Sequence, residues 1–244
     1  MDYRKYKLSI REFIYGGGIY ISALWILSHL FYDSIIPVVL FSPGIILFYK
    51  YMRKLLKQRR DRLLTNQFKD TLNCISSLLS TGFSLENAII EAKKELLTLH
   101  GTSLMYTELD LMSKKLQLNI PVELIISDFA SRTDIDAIVT FSQILSIAKP
   151  AGGDLRAVIL ATTKAINSEI DINTEIDTHL AGKKFELYIM SVMPPLIMIY
   201  IQLTQPGFFT PVYHNILGVI VMSFCLILYV ISIVIAFRIL SITR

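Results

Sequence analysis

Cations are missing from two long stretches of this chain. From Glu12 through Tyr49 there is no Lys or Arg, and from Leu187 through Phe237 there is no Asp, Glu, Lys or Arg. Each stretch exceeds one membrane span, which takes about 20 apolar residues, and is long enough for a hairpin of two. Lys and Arg mark the cytoplasmic side. The pattern therefore predicts two membrane hairpins, with both termini and everything between the hairpins in the cytosol. The outer loops then hold Asp33 as their one charge, too little surface for a receptor domain. The spans carry no Asp, Glu, Lys or Arg, and His29 near one end is their one candidate for proton or ion chemistry. That argues against a pump or a coupled transporter.

Cysteine is also scarce. Cys74 falls in the predicted cytosolic part and Cys225 in a predicted span, which speaks against a disulfide. Each reads as a small apolar packing residue. The four histidines, His29, His100, His179 and His214, are scattered and show no metal-ligand spacing. There is no HExxH, GxSxG, CxxC or GxxxxGK motif. Gly152-Gly153 follows a predicted helix rather than a strand, so it is not a nucleotide fingerprint. Strand signals are weak throughout. The residues thus point away from an enzyme and imply no cofactor or metal.

What is present is apolar and helical. Residues of hydrophobic type make up 53% of the 244, the range of membrane proteins. The N-terminal cations Arg4, Lys5, Lys7 and Arg11 precede an apolar stretch from Phe13 to Tyr32. No small-x-small cleavage site follows, so the stretch reads as a retained first span. Gly16-Gly17-Gly18 within it is either a close helix contact or a loosened helix start. The first hairpin turns near Asp33-Ser34 and returns to about Tyr49. Pro37, Pro43 and Gly44 make that return arm kinked or re-entrant. The second hairpin starts near Leu187, turns around Gln205-Pro206-Gly207 and returns from about Ile216 to Phe237. Pro194-Pro195 should kink its first arm.

Between the hairpins the charge divides. Lys50 to Arg62 holds seven cations and one Asp, and Leu63 to Gly182 holds nine Lys or Arg against fifteen Asp or Glu. The basic run suits a stop-transfer flank on anionic headgroups, and it lacks the aromatic interleaving of a nucleic-acid binder. Leu63, Phe68, Leu72, Ile75 and Leu79 keep to one helical face. Ile159, Ile166, Ile170, Asn173 and Ile176 suggest a long later helix. A helix stop followed by a start recurs three times: Gly82 to Ser84, Asn119 to Pro121, and Gly152-Gly153-Asp154. Gly82 and Gly152 suit a left-handed helix end, Ser84 and Asp154 are N-caps, and Pro121 fits a first turn. Three such breaks predict about six helices in antiparallel pairs. The acidic groups Glu86, Glu91, Glu95 and Asp171, Glu175, Asp177 read as solvated faces, or as a negative surface that meets a basic partner or holds a divalent cation weakly.

The fold class expected is an all-α membrane protein, with two transmembrane helical hairpins flanking a cytosolic bundle of about six helices. Its parts are an N-terminal hairpin with basic neck over 1–62, a helical domain over 63–182 and a C-terminal hairpin over 183–244.

The middle segment resembles the F domain of type II secretion and type IV filament systems. It is most similar to the tight-adherence (Flp) pilus assembly membrane proteins. The pieces are Leu78-Leu79-Ser80-Thr81-Gly82-Phe83-Ser84-Leu85-Glu86-Asn87-Ala88, Asp128-Phe129-Ala130-Ser131-Arg132, Asp134 to Ala148, and Gly152-Gly153-Asp154-Leu155. A long helix ending at Ala181-Gly182-Lys183-Lys184, with Pro194 in the span that follows, completes them. Type II secretion and type IV pilus platforms carry this domain twice, and here it occurs once, which favours the tight-adherence branch. Lys149-Pro150-Ala151 departs from the family's more acidic or polar approach to Gly-Gly.

The resemblance implies a non-enzymatic inner-membrane platform. It would couple a cytosolic hexameric secretion ATPase to insertion or extraction of pilin or pseudopilin subunits. It would act as a homo-oligomer or with a paralogous subunit, without nucleic acid. The expected ATPase contacts are the Gly82, Ser84, Glu86 turn, the Gly152, Gly153, Asp154, Arg156 turn, and the neck residues Arg59, Arg60 and Arg62. Plain helix capping is the competing role for both glycine turns. The expected pilin groove lies at Pro194 and Pro195. Two other classes compete: a small multi-pass transporter or channel subunit, and a membrane signalling coupler. The first requires polar residues facing one another across spans. The second requires a phospho-acceptor such as His179, which lacks the acidic neighbours that chemistry wants.

Overall fold

The computed structural model describes residues 3–4, 8, 10–34, 38, 41–149, 154–213 and 215–242. Every element among them is helical: α1 Ile10–Tyr32, a 3-10 turn Ser42–Gly44, α2 Ile45–Ser80, α3 Leu85–His100, α4 Leu104–Gln117, α5 Val122–Ser131, α6 Asp136–Ala148, α7 Leu155–Thr204, α8 Thr210–Tyr213 and α9 Ile216–Ile242. No strand occurs among the described residues. Two compact units emerge, one of Met1–Lys7 with Arg53–Asn173, the other of Leu8–Met52 with Thr174–Arg244. Helices α2 and α7 contribute residues to both.

In the first unit, turn chemistry sets the helix ends. At the end of α2, Phe83 N–H reaches Leu78 O and Gly82 N–H reaches Leu79 O, each at 3.1 Å, with Gly82 at φ +99°. This is the double hydrogen bond of a left-handed C-terminus, which glycine adopts without steric cost. Asn119 repeats it after α4: Ile120 N–H reaches Lys115 O, Asn119 N–H reaches Leu116 O, and Asn119 has φ 58°. Ser84 accepts from Asn87 N–H, Ser103 from Tyr106 N–H and Asp154 from Ala157 N–H, which caps α3, α4 and α7.

The core of this unit is apolar and spaced for helices. Leu64, Phe68, Leu72, Ile75 and Leu79 of α2 are buried, while Leu63 is 58% exposed. The inward stripe thus starts one residue later than the sequence suggests. Steps of four, four, three and four from Leu64 hold a face that Leu63, rotated by one residue, misses. Leu85, Ala88, Ile89, Ala92 and Leu96 face inward from α3, and Val122, Ile125, Ile126 and Phe129 from α5. Phe141 of α6 meets Phe68 edge to face, ring centroids 5.9 Å apart. Ile159, Ile166 and Ile170 anchor α7, whereas Asn173 and Ile176 are exposed.

Helix α7 does not stop at Ala181-Gly182-Lys183-Lys184, where the resemblance places an end. It runs unbroken from Leu155 to Thr204, with Pro194 and Pro195 inside it. One interior glycine costs a helix only about 1 kcal/mol, and the residues flanking Gly182 are good helix formers.

In the second unit, α1 ends where Asp33 takes φ 45°. His29 Nδ1 lies 2.9 Å from the Asp33 carboxylate. Pro43 sits in the first turn of the 3-10 segment that precedes α2. Of the return arm expected over 35–49, residues 35–37 and 39–40 lie outside the described residues, Pro37 among them. Gly207, at φ +98°, turns the chain between α7 and α8. Tyrosines join the helices here. Tyr213 Oη donates to Leu30 O at 2.6 Å and accepts from Gln202 Nε2 at 3.1 Å. Tyr32 Oη and Ser223 Oγ are 2.8 Å apart.

Among the described residues, α1, α7 and the stretch Ile216–Ile239 of α9 are long and apolar enough to cross a membrane. Large apolar side chains stay exposed along them, for example Tyr15, Met190, Leu203 and Phe224. Aqueous proteins rarely leave an apolar surface of that extent uncovered, and it is the kind of surface a membrane-spanning helix presents to lipid.

Candidate functional site

Three helix termini meet at one end of the first unit: the start of α3 after Thr81–Ser84, the start of α5 after Leu118–Pro121, and the end of α6 at Lys149. Lys149 ties them together. Its Nζ donates to Glu123 Oε2 at 2.9 Å and to Glu86 Oε1 at 3.2 Å. Glu86 stands in the first turn of α3, Glu123 in the first turn of α5, and Lys149 caps the end of α6. Burial lowers the Lys149 pKa, yet hydrogen bonds to the two carboxylates outweigh it and the net shift is upward. The Lys149 hydrogen bond holds Glu123 below the usual carboxylate range.

Both shifts favour the charged pair. Glu123's contribution is complete above its ordinary value of 4.5 and is lost as pH falls through its lower folded value. Lys149's is complete below 10.5 and is lost as pH rises through its higher folded value. Lys149→Met should therefore return Glu123 toward 4.5, read by carboxyl NMR titration.

Around this ion triad stand four large apolar residues that the described residues leave exposed. Phe83 is 45% exposed, Leu118 74%, Leu124 60% and Ile147 72%. They come from the α2–α3 turn, the α4–α5 turn, the first turn of α5 and the last turn of α6. The triad sets one cation against two carboxylates, a net charge of −1, and exposed apolar side chains beside a few charged groups are what protein-docking surfaces carry, where truncating a few residues removes most of the affinity.

The expected contact residues fall into separate groups. Gly82, Ser84 and Glu86 lie at this turn end, and Asp154 and Arg156 open α7, with Arg156 exposed. Gly152 and Gly153 lie outside the described residues. Arg59, Arg60 and Arg62 sit some twenty residues earlier on α2, about 30 Å along the helix from its C-terminal turn. They do not share a patch with the glycine turns. Arg59 and Arg62 are exposed. Arg60 is partly buried, donating to the Tyr3 carbonyl and standing 5.5 Å from the Tyr3 ring centroid. Pro194 is exposed and Pro195 half-buried within α7.

At the opposite end of the first unit is a buried ionic clasp. Glu108, with a side chain 1% exposed, receives both terminal nitrogens of Arg132, at 3.0 and 2.7 Å. Tyr3 Oη donates to the same carboxylate at 2.9 Å, and Tyr3 N–H donates to Arg132 O at 2.9 Å. Burial, then the Glu108 charge, pushes the Tyr3 hydroxyl well above its usual range. Beside the clasp Lys57 Nζ holds Asp134 at 2.7 Å, and that hydrogen bond keeps Asp134 below the usual range.

The acidic groups noted in the sequence are largely engaged inside the chain. Glu91 pairs with Lys94 at 2.7 Å, Asp171 with Lys69, and Glu95 accepts from Cys74 Sγ at 2.7 Å. Burial, and secondarily Glu95, pushes the Cys74 thiol up to about 12, so it remains a protonated, unreactive thiol at neutral pH. Among the described residues no group of three His, Cys, Asp or Glu is placed to hold a metal ion.

The chain belongs by its structure to the all-helical proteins and carries helices fit to cross a membrane. No known family model matches it, and no curated protein and no solved structure matches it.

Proposed function

We propose that this protein is a non-enzymatic platform in the cell's inner membrane. In this reading 1–62 and 183–244 form membrane hairpins and 63–182 forms a cytosolic bundle, with both termini cytosolic. The bundle receives a cytosolic hexameric secretion ATPase and passes its motion to hairpins that insert or extract pilin or pseudopilin subunits. It works as a homo-oligomer or with a paralogous subunit. The observation that carries the reading is the turn-end surface, where Phe83, Leu118, Leu124 and Ile147 stand exposed around the Glu86–Lys149–Glu123 triad. The turns there include the Gly82–Glu86 segment, one of the pieces that together carry the resemblance to secretion F domains. The apolar exposure of α7 and α9 suits helices that meet lipid or the thin apolar helix of a pilin.

The test is capture of a cytosolic hexameric secretion ATPase from the same cells. Leu118→Glu with Ile147→Glu should lower co-purification at least about tenfold, since buried interface anchors contribute about 2 kcal/mol or more each. Both side chains are exposed, so the fold and membrane insertion should survive. Capture equal to that of the unaltered protein removes this surface from the contact.

A further inference from the structure

Helices α2 and α7 face each other across an antiparallel ladder of polar side chains. Lys69 donates to Asp171, and one turn on, Asn167 Nδ2 donates to Asn73 Oδ1 at 2.5 Å. Four residues forward on α2 match four back on α7. The next rung therefore sets Ser76 and Ser77 level with Thr163. That rung is unmade: Ser76 Oγ, Thr163 Oγ1 and Asn167 Oδ1 are buried with no hydrogen-bond partner in the protein. Orphaned polar atoms of this kind destabilise the arrangement that holds them.

The same ladder closes in a second register. Displacing α7 by one turn toward its own N-terminus brings Asp171 level with Asn73, Asn167 with Ser77, and Thr163 with Ser80 and Thr81. The Asn73 amide then meets a carboxylate, Asn167 Oδ1 comes level with the Ser77 hydroxyl, and the Thr163 hydroxyl comes level with Ser80 and Thr81, whose oxygens can accept from it while they donate to Ser76 O and Leu78 O. Lys69 loses Asp171 in exchange. On the buried face, Ile170 takes the level of Ile166 and Ile166 that of Thr162. Thr163 and Thr174 replace Ile159 and Ile170, so the second register gives up apolar burial. The described register stays the favoured one, and the other is a minor state.

We propose that α2 and α7 form a two-position slide, its positions one helical turn, about 5.4 Å, apart. The slide is independent of the platform reading. It asks only that the described register and its neighbour be close in free energy.

The experiment uses the full chain in detergent micelles, with Cys74→Ser and Cys225→Ser, and spin labels replacing Arg59 and Lys164. Both positions are exposed and belong to the first unit. Lys69→Ala removes a partner used only in the described register. It should move about a tenth of the molecules to a label separation about 5 Å longer. Adding Asp171→Ala removes the new partner of Asn73 and should restore the single shorter distance. Lys69 is a partly exposed side chain on the helix surface, so its loss leaves the core intact. One unchanged distance in Lys69→Ala overturns the slide, and so does a longer distance that survives Asp171→Ala.

Discussion

Arg132→Met should destabilise the first unit by about 3–5 kcal/mol, the usual consequence of leaving one member of a buried ion pair alone. Glu108 is the residue left behind. Its side chain is 1% exposed, and Arg132 supplies a positive charge and two hydrogen bonds to its carboxylate. Tyr3 Oη would still donate to that carboxylate, but a neutral hydroxyl does not offset a buried charge. The loss should appear as a lower denaturation midpoint of the full chain in micelles, followed by helical circular dichroism. Two companion variants separate charge from packing. Tyr3→Phe keeps the ring, and with it the 5.5 Å contact to Arg60, and deletes one hydrogen bond to a charged group, a loss of about 1.5–3 kcal/mol. Glu108→Met combined with Arg132→Met removes both charges and should recover most of the stability, because an apolar pair of similar volume often matches a buried ion pair. A double variant as unstable as Arg132→Met alone would show that shape, not charge, makes this contact.

The clasp also marks where sequence reading stops. Helix ends are legible, because their chemistry is local: Gly82 for a left-handed end, Ser84 and Asp154 for caps, Asp33 and Gly207 for turns, with Asn119 read only as part of a break and Gly152 lying outside the described residues. Each needs only its neighbours within a few residues. Tyr3 and Glu108 lie 105 residues apart, and no local rule joins them. One signal was available. Met105, Glu108, Leu109 and Met112 follow helical spacing, which puts Glu108 on the buried stripe of α4, where a carboxylate requires a partner. Arg132 was quoted only as part of a motif. The turn-end surface was half legible. Gly82, Ser84 and Glu86 were singled out, but Lys149 was treated as a departure, though it joins three helix ends. Leu118, Leu124 and Ile147 carry no such signal, since nothing local distinguishes an exposed apolar residue near a helix end from a core one. The neck arginines stand apart from the glycine turns for a geometric reason: a helix as long as α2 carries its start and end far apart.

Gly16, Gly17 and Gly18 should respond to alanine with opposite signs, although they are consecutive and chemically identical. All three lie inside α1, so the run is not a loosened start. A Cβ on Gly17 would stand 2.6 Å from Tyr49 Oη, and one on Gly16 would stand 2.7 Å from Met52 Sδ. A Cβ on Gly18 would meet nothing within 4 Å. Tyr49 cannot easily yield, because its ring stacks on Phe13 at 4.4 Å and its hydroxyl donates to Phe13 O at 2.5 Å. Gly17→Ala should therefore lose about 1–3 kcal/mol through overpacking. Gly18→Ala should gain about 0.5–1 kcal/mol from helix propensity, with no contact to offset it. Tyr49→Phe provides the discriminating partner. It removes the atom that the new methyl meets and leaves the ring carbon at 3.9 Å, an ordinary contact. In a double-mutant cycle, Gly17→Ala should then cost clearly less when combined with Tyr49→Phe than when Tyr49 is retained, measured as thermal unfolding in micelles. Equal costs with and without Tyr49→Phe, or a loss from Gly18→Ala as large as that from Gly17→Ala, would mean that α1 does not approach the start of α2 through this glycine face.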